Sequence, residues 1–385
     1  MSLKIFTRLF YTYQLFRDFI LIYAVDKLFL IYRGIELYQI AILIAFWSLS
    51  TTLLEIPTGA LADKWSRKNM LVLSAIFRSL CYVTWFFGSN FWLFLLGFAF
   101  RTVSGTFESG TLEAYVFDFL RQKRKEEEFE KIWGRGQASL TIGIAIALSL
   151  GGFLSTYSYE LVVALSALSP LFTMATSLLF PQVYPVTLIG EKSYLSILKD
   201  GIKKAFSNTL LVRVFLYSAI VYAALGMLDE YDQVMLSSWF NMPNSFIGIW
   251  LATAMGISSL SGLYAHKLKN MGWKLLNTMA VVTGILLIMI SLSNSPLLLG
   301  TFLLFWTFSV LINVLTQGVI QREIPSEERA TITSVNSLIT ETGAVILGLI
   351  FGFIANRYGI QIGYGFYGLI IITYLSVKFT IERLR

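Results

Sequence analysis

Apolar runs long enough to cross a bilayer recur along almost the whole chain, and this repetition constrains the fold more than any other feature. An α-helix needs about 20 consecutive apolar residues to span the hydrocarbon core. Of the 385 residues, 56% are hydrophobic and 14% are charged, whereas about a quarter of the residues of soluble domains are charged. The runs do not alternate at period two, as barrel strands do. The sequence therefore predicts an all-α membrane protein.

Twelve spans are predicted from these runs. Their bounds are 10–32, 38–60, 70–88, 91–118, 136–156, 160–180, 209–237, 244–265, 273–292, 296–318, 331–356 and 360–380. With cytoplasmic termini, the outer loops hold only Arg33 and Arg357 of the 30 lysines and arginines, and the inner segments hold most of the others. This asymmetry follows the positive-inside rule and explains the net charge of +7 without a nucleic-acid partner. We expect a multi-pass protein of the cell inner (plasma) membrane with both termini cytoplasmic and no cleavable signal.

A polar stretch at residues 181–208 divides the predicted spans into six and six. It begins with Pro181 and Pro185, which interrupt helices, and continues with apolar residues at near-helical spacing beside lysines. This pattern predicts a short amphipathic helix on the inner leaflet. The expected organisation is an N-terminal six-helix bundle over 1–180, this linker, and a C-terminal six-helix bundle over 209–385.

Weak internal sequence repeats about 200 residues apart suggest that the two bundles are related. Gly59-Ala60-Leu61-Ala62-Asp63-Lys64 recurs as Gly262-Leu263-Tyr264-Ala265-His266-Lys267, and Gly143, Gly152 and Phe153 recur as Gly343, Gly352 and Phe353. Two pseudo-twofold-related bundles place a binding site at their interface near the bilayer midplane.

The charged turn between the second and third predicted spans carries the most specific motif. Its residues Gly59, Asp63, Lys64, Arg67 and Lys68 resemble the pattern G-x-x-x-D-[RK]-x-G-R-[RK] of the major facilitator superfamily, with Ser66 in place of the second glycine. The resemblance implies a conformational lock, with Asp63 facing the start of the eleventh helix near Ala330–Thr331.

Two further stretches bear on this resemblance. The run Arg101-Thr102-Val103-Ser104-Gly105 resembles the family's fourth-helix pattern R-x-x-[QS]-G, which implies a role for Arg101 in energy coupling. The alternative is that Arg101 pins its helix through an ion pair. The fifth span departs from the family's antiporter motif, because Ala147 and Leu148 stand where the motif has glycine and proline.

Carboxylates inside the predicted spans are candidates for function, since ionisable groups in lipid are costly and usually face the bundle interior. Asp229 and Asp232 are three residues apart and share a helix face, whereas Glu230 points about 100° away from Asp229. Asp26 takes a matching position in the first span. We expect Asp26, Asp229 and Asp232 to bind protons or substrate in a shared central cavity, with at least one holding a proton near neutral pH. The alternative is an ordinary solvated cluster at the outer mouth.

Other intramembrane charges have a structural and a functional interpretation. Glu108 is expected either to face the cavity or to form a structural pair, and Glu341 is a candidate second proton or substrate site. Arg17 and Asp18 are expected to pair with each other, and Glu113 and Asp118 each with a cytoplasmic lysine or arginine. Lys27 either neutralises Asp26 or extends outward to the interface.

Several function classes are excluded by composition. With Cys81 and His266 as the sole residues of their types, no disulfide framework and no cysteine- or histidine-based metal site is expected. A phosphate-binding loop pattern is absent, so ATP is not the expected energy source. We expect that the protein binds no cofactor and is not an enzyme.

The preferred interpretation is a monomeric secondary transporter that exports a lipophilic or amphipathic small molecule against inward proton flow. The alternatives are a transporter of an anionic or zwitterionic natural product, lipid or nutrient and, from another class, a non-transporting receptor or scaffold.

Overall fold

A computed structural model describes residues 1–183, 209–268, 272–323 and 329–384, and within these ranges every regular element is helical. The helices before residue 184 are α1 (Leu3–Arg17), α2 (Asp26–Tyr32), α3 (Leu37–Lys64), α4 (Arg67–Phe86), α5 (Phe91–Glu108), α6 (Thr111–Gln122), α7 (Phe129–Leu154) and α8 (Tyr159–Leu179). Those after residue 208 are α9 (Thr209–Tyr217), α10 (Ala223–Asp229), α11 (Asp232–Ser238), α12 (Asn244–Leu268), α13 (Gly272–Leu292), α14 (Gly300–Glu323), α15 (Arg329–Tyr358) and α16 (Ile360–Leu384). The fold class predicted from the sequence is confirmed.

In the described ranges, ten helices are long and apolar enough to cross a membrane. The two remaining predicted spans coincide with interrupted helices, at Leu3–Tyr32 and Phe91–Gln122. The total of twelve spans therefore stays a prediction. The predicted amphipathic helix also stays one, because residues 184–208 lie outside the described part of the chain.

The interruption between α1 and α2 contains the 3-10 turn Leu21–Ala24. Two backbone groups at this interruption bond to side chains of neighbouring helices, which suits a lipid environment. Ser166 of α8 accepts a hydrogen bond from the Ile22 N–H at 2.9 Å, and Arg78 of α4 donates to the Arg17 carbonyl at 3.1 Å. Hydrogen bonds from α4 and α8 therefore stabilise the interruption between α1 and α2.

The interruption between α5 and α6 has a different local cause. Gly110 adopts φ +68° and precedes the first residue of α6. This left-handed conformation disfavours residues that carry a Cβ. Ser109 and Gly110 therefore separate α5, which ends at Glu108, from α6, which begins at Thr111.

The chain forms two compact units. The first contains Met1–Ile35, Pro243–Ala252 and the described residues of Phe46–Gly190. A buried cluster of this unit is rich in aromatic side chains, with the rings of Phe6 and Phe119 stacked at 3.7 Å between centroids.

The second unit contains Glu36–Ala45 and the described residues of Glu191–Met242 and Thr253–Arg385. A buried cluster at its α9 and α15 helices includes Val214, Phe215 and Val335. The expected split into bundles over 1–180 and 209–385 stays a prediction.

Matching features appear in each unit. Asp26 and Asp232 are each the first residue of a seven-residue helix that follows an interruption. Gly143 of α7 packs directly on the carbonyl of Leu15, and Gly343 of α15 packs directly on the carbonyl of Ala219. A side chain at either glycine would collide with backbone. The repeat of Gly143 at Gly343 therefore corresponds to a matching glycine–backbone contact in each unit.

Candidate functional site

A cavity of about 240 Å³ lies in the second unit. It is bordered by helices α10, α11, α12 and α14. The lining residues are Leu225, Leu228, Asp229, Asp232, Met255, Ser258, Ser259, Phe305, Trp306, Ser309 and Val310. Most of its wall is apolar, and the two aspartates are its only acidic groups among the described residues. Such a combination of apolar wall and few polar groups is typical of small-molecule sites.

Asp232 is the most completely enclosed acid of this cavity, with 2% of its surface exposed. Trp306 Nε1 donates to Asp232 Oδ2 at 2.7 Å, and the Tyr364 hydroxyl donates to Oδ1 at 3.0 Å. Both donors are neutral, and within the described ranges Asp232 forms no ion pair. A buried carboxylate held in this way is costly to ionise unless a cation or a proton joins it.

The local fold explains how Asp232 reaches this position. The helix is interrupted at Glu230–Tyr231, and the backbone N–H groups of Val234 and Met235 both bond to the Tyr231 carbonyl. This places Asp232 in the first turn of α11, where the helix dipole favours a negative charge. The second hydrogen-bond donor, Tyr364, is held by ring contact with Phe351 at 5.7 Å between centroids.

The neighbouring acids differ from Asp232 in exposure. Asp229 and Glu230 are half-buried, and of these two only Asp229 lines the cavity. Glu341 of α15 is exposed, and Tyr222 lies within electrostatic range of both Asp229 and Glu341. The functional roles assigned to Asp229, Asp232 and Glu341 from the sequence stay predictions.

Asp26, in the first unit, has a charged partner. Lys27 Nζ lies 2.9 Å from Asp26 Oδ2, and both side chains are buried. Of the two interpretations of Lys27, the structure shows the neutralising one. Asp26 and Asp232 thus begin equivalent short helices, yet one is paired with a cation and the other with two neutral donors.

Glu108 lies at the centre of a buried ionic network in the first unit. Arg17 Nε is 2.8 Å and Arg78 is 3.2 Å from its carboxylate, and the Tyr13 hydroxyl donates to it at 2.7 Å. Arg78 also forms an ion pair with Asp18. Two arginines and a tyrosine thus already contact the Glu108 carboxylate, which is the structural of its two interpretations, and its assignment to a proton or substrate site stays a prediction. The expected Arg17–Asp18 pair is wrong, since each residue forms its ion pair with another helix.

Arg101 is surrounded by aromatic rings. Its guanidinium carbon lies 4.2 Å from the ring centroid of Trp47, 5.2 Å from that of Tyr23 and 5.9 Å from that of Phe98. Such contacts stabilise a partly desolvated cation by about 0.5–2 kcal/mol. The side chain is half-buried. Whether Arg101 couples transport stays a prediction.

The structure describes the side chains of two residues of the candidate conformational lock, Arg67 and Lys68. Arg67 forms an ion pair with Asp118, and Lys68 Nζ donates to the Leu178 carbonyl at 2.7 Å. The pairing expected for Asp118 is confirmed. Gly59, Asp63 and Lys64 lie on α3, but their side chains are outside the described residues, as are those near Ala330–Thr331. The contact expected for Asp63 therefore stays a prediction.

Sequence reasoning missed Tyr364 as a partner of Asp232. One signal was present, because Tyr364 lies between Gly363 and Gly365, and small residues mark close helix approach. Gly363 packs against the Phe351 ring and Gly365 against the Ser291 side chain. The hydrogen bond itself could not be predicted, since it depends on the rotation of α16.

The chain resembles known proteins in both sequence and fold. The family model described as Major Facilitator Superfamily matches residues 14–348. Multidrug resistance protein 2 of Bacillus subtilis (strain 168) is 22% identical over 352 residues, which are 87% of this chain and 84% of that protein. An uncharacterized MFS-type transporter, YxaM, of the same organism is 19% identical over 347 residues, 87% of this chain and 85% of that protein.

Among solved structures, a mutant form of the nucleoside transporter NupG matches with a TM-score of 0.85. The identity is 14%, and 99% of each chain is covered. At this identity the likeness concerns the fold.

Proposed function

The chain belongs to the Major Facilitator Superfamily and is a secondary transporter, and we propose that it exports a lipophilic or amphipathic small molecule in exchange for protons. In this proposal the protein lies in the cell inner membrane with cytoplasmic termini and acts as a monomer. Alternating access exposes its site to one side of the membrane at a time.

The observation that carries the proposal is the environment of Asp232. Its carboxylate lines an apolar cavity and is held by Trp306 and Tyr364. A carboxylate that is not already neutralised by a fixed cation can exchange a proton for another positive charge. The titratable groups nearest to it are Asp229 and Glu230 in its own chain segment and Tyr364 of α16.

The apolar wall supports the substrate class. Leu225, Met255 and Phe305 offer surface to a lipophilic group. The name of the relative Multidrug resistance protein 2 agrees with export of such compounds.

Arg101 favours a second candidate, which is transport of an anionic or zwitterionic compound. A half-buried guanidinium flanked by the rings of Trp47 and Tyr23 could bind a carboxylate or phosphate on a planar substrate. A non-transporting receptor or scaffold, the third class, has no comparable observation in its favour.

Proton movement in inside-out membrane vesicles tests these alternatives. Respiration acidifies the vesicle lumen, and dansylcadaverine, a lipophilic primary amine, is then added while lumenal pH is followed with a dye. Proton-coupled export predicts alkalinisation that requires the chain and is lost in Asp232→Asn but retained in Glu127→Gln, an exposed loop variant. If the anionic compound carboxyfluorescein causes alkalinisation and dansylcadaverine does not, the anionic candidate is favoured. If neither compound moves protons, proton-coupled export is wrong.

A further inference from the structure

A π-helical turn at Ser218–Tyr222 joins α9 to α10. The backbone N–H of Ala223 donates to the carbonyl of Ser218, five residues earlier, whereas an α-helical hydrogen bond spans four. A turn of this kind holds one residue more than an α-helical turn, is rare, and occurs frequently at functional sites. The chain therefore carries a surplus residue directly before α10, which forms part of the cavity wall.

The helix α10 has a joint that is not α-helical at each end. It comprises only seven residues, Ala223–Asp229. The π turn precedes it, and the interruption at Glu230–Tyr231 separates it from α11. Residues at such joints can absorb the backbone changes of a segment that moves. The surplus residue can therefore pass from the π turn to the interruption, with α10 moving as one body.

This transfer would bring each residue of α10 to the place now held by the residue that follows it. An α-helix turns by about 100° and rises by about 1.5 Å for each residue, so α10 would rotate and advance by these amounts. Leu225 and Leu228 now line the cavity. After the transfer, Ala224 and Met227 would take their places in the wall.

The packing of α10 leaves room for such a rotation. Three of its seven residues are small, namely Ala223, Ala224 and Gly226, and among the described residues no atom fills the space where a Cβ of Gly226 would lie. The Met227 sulfur packs against Gly348 of α15, and the unbranched thioether side chain adapts readily to new surroundings. Few bulky side chains therefore oppose the movement.

We propose that α10 adopts two registers, and that a shift of one residue exchanges Leu225 and Leu228 for Ala224 and Met227 in the cavity wall. A ligand that rests on the two leucines loses these contacts when α10 shifts, so the register sets the affinity of the cavity. Ala224 and Met227 thereby become specificity-determining residues, although neither lines the cavity in the register described above. Helix register shifts take place in microseconds to milliseconds.

Cysteine labelling in membranes tests the two registers without any gradient or substrate. Cys81, the single cysteine of the chain, is replaced by alanine, and one cysteine is introduced at Leu228, at Met227 or at Met289, an outward-facing position of α13. A charged methanethiosulfonate reagent modifies thiols that contact water. In vesicles opened to the reagent on both faces, we expect Leu228→Cys and Met227→Cys each to react at least tenfold faster than Met289→Cys.

Deletion of Ile220 provides the matched variant. It removes the surplus residue, so that α9 continues into α10 without a π turn and Leu228 keeps its place in the wall. In this background Leu228→Cys should keep its rate of modification, whereas Met227→Cys should slow at least tenfold, to the rate of Met289→Cys. Gel filtration checks that the deletion variant is folded.

A Met227→Cys that reacts no faster than Met289→Cys would overturn the inference, and this comparison needs no deletion. Equal rates for Met227→Cys with and without Ile220 would also overturn it, because access would then be independent of the π turn. These results are separable from those for the proposed function. Vesicle alkalinisation with an unreactive Met227→Cys would remove the register shift and leave export intact. A reactive Met227→Cys that the deletion slows, without alkalinisation, would do the reverse.

Discussion

The indole nitrogen of Trp306 lies 2.7 Å from Asp232 Oδ2, which joins α14 to the first turn of α11. This contact fixes the orientation of the carboxylate that borders the cavity. Tyr364, on α16, fixes the other oxygen at 3.0 Å. The site thus draws on three helices that are far apart in the sequence.

Removing the indole donor should weaken transport without unfolding the chain. Trp306→Phe keeps an aromatic ring in the cavity wall but loses the hydrogen bond to Asp232. Side-chain hydrogen bonds within membranes contribute about 0.6 kcal/mol on average and up to about 1.7 kcal/mol, so we expect roughly a three- to twentyfold drop in apparent affinity for dansylcadaverine. Vesicle assays over a range of probe concentrations measure it. Trp92→Phe, at an exposed position, is the control, and an unchanged affinity in Trp306→Phe would contradict the prediction.

The ionic network around Glu108 should contribute to stability rather than to proton transfer. Arg78→Gln leaves Glu108 and Asp18 with one guanidinium fewer, and loss of one partner from a buried ion pair costs about 3–5 kcal/mol. We expect the melting temperature of the detergent-solubilised chain to fall markedly. The double variant Arg78→Gln/Asp18→Asn should recover part of the loss, since it removes the carboxylate whose ion-pair partner is lost, whereas Glu108 keeps Arg17. A double variant less stable than Arg78→Gln would show that the network is not the cause.

Gly343 should not tolerate a side chain. Its backbone lies directly against the carbonyl of Ala219, so the Cβ of Gly343→Ala has no room unless α15 moves. We expect Gly343→Ala and its counterpart Gly143→Ala to reduce the yield of monodisperse protein in gel filtration. Gly134→Ala, on the same helix as Gly143 but with open space around it, should keep normal yield and gain slightly in helix propensity. Equal behaviour of the three variants would contradict the packing argument.

Arg101→Lys should separate coupling from packing. Lysine keeps the positive charge but loses the planar guanidinium that lies over Trp47. If Arg101 couples transport to the proton gradient, gradient-driven movement of dansylcadaverine should be lost while the melting temperature changes little. Full gradient-driven activity would reduce Arg101 to a packing residue. Lys125→Arg, in an exposed loop, controls for the exchange of basic residues.

Hydropathy was sufficient to predict most of the helices. The bounds 160–180 and 273–292 agree with Tyr159–Leu179 and Gly272–Leu292 to within one residue, because continuous apolar runs leave no other structure in lipid. The same signal could not predict the breaks after Arg17 and Glu108. These depend on Gly110 and on side chains of other helices that satisfy the exposed backbone groups.

The candidate site was less predictable than the helices. Helical spacing identified Asp229 and Asp232 as neighbours on one face, and both line the cavity. Spacing carries no information on partners from distant segments, so it did not distinguish Asp232, held by Trp306 and Tyr364, from Glu108, held by two arginines.

The buried network of Arg17, Asp18, Arg78 and Glu108 has an electrical consequence. Its two positive and two negative charges sum to zero, so displacing the network as a body through the membrane voltage requires no net work. Asp232 differs, because losing a proton changes its charge by one unit, and one elementary charge moved across 100 mV corresponds to about 2.3 kcal/mol. A voltage clamp on a reconstituted membrane would therefore act on the state of Asp232 and leave the network of the first unit unaffected.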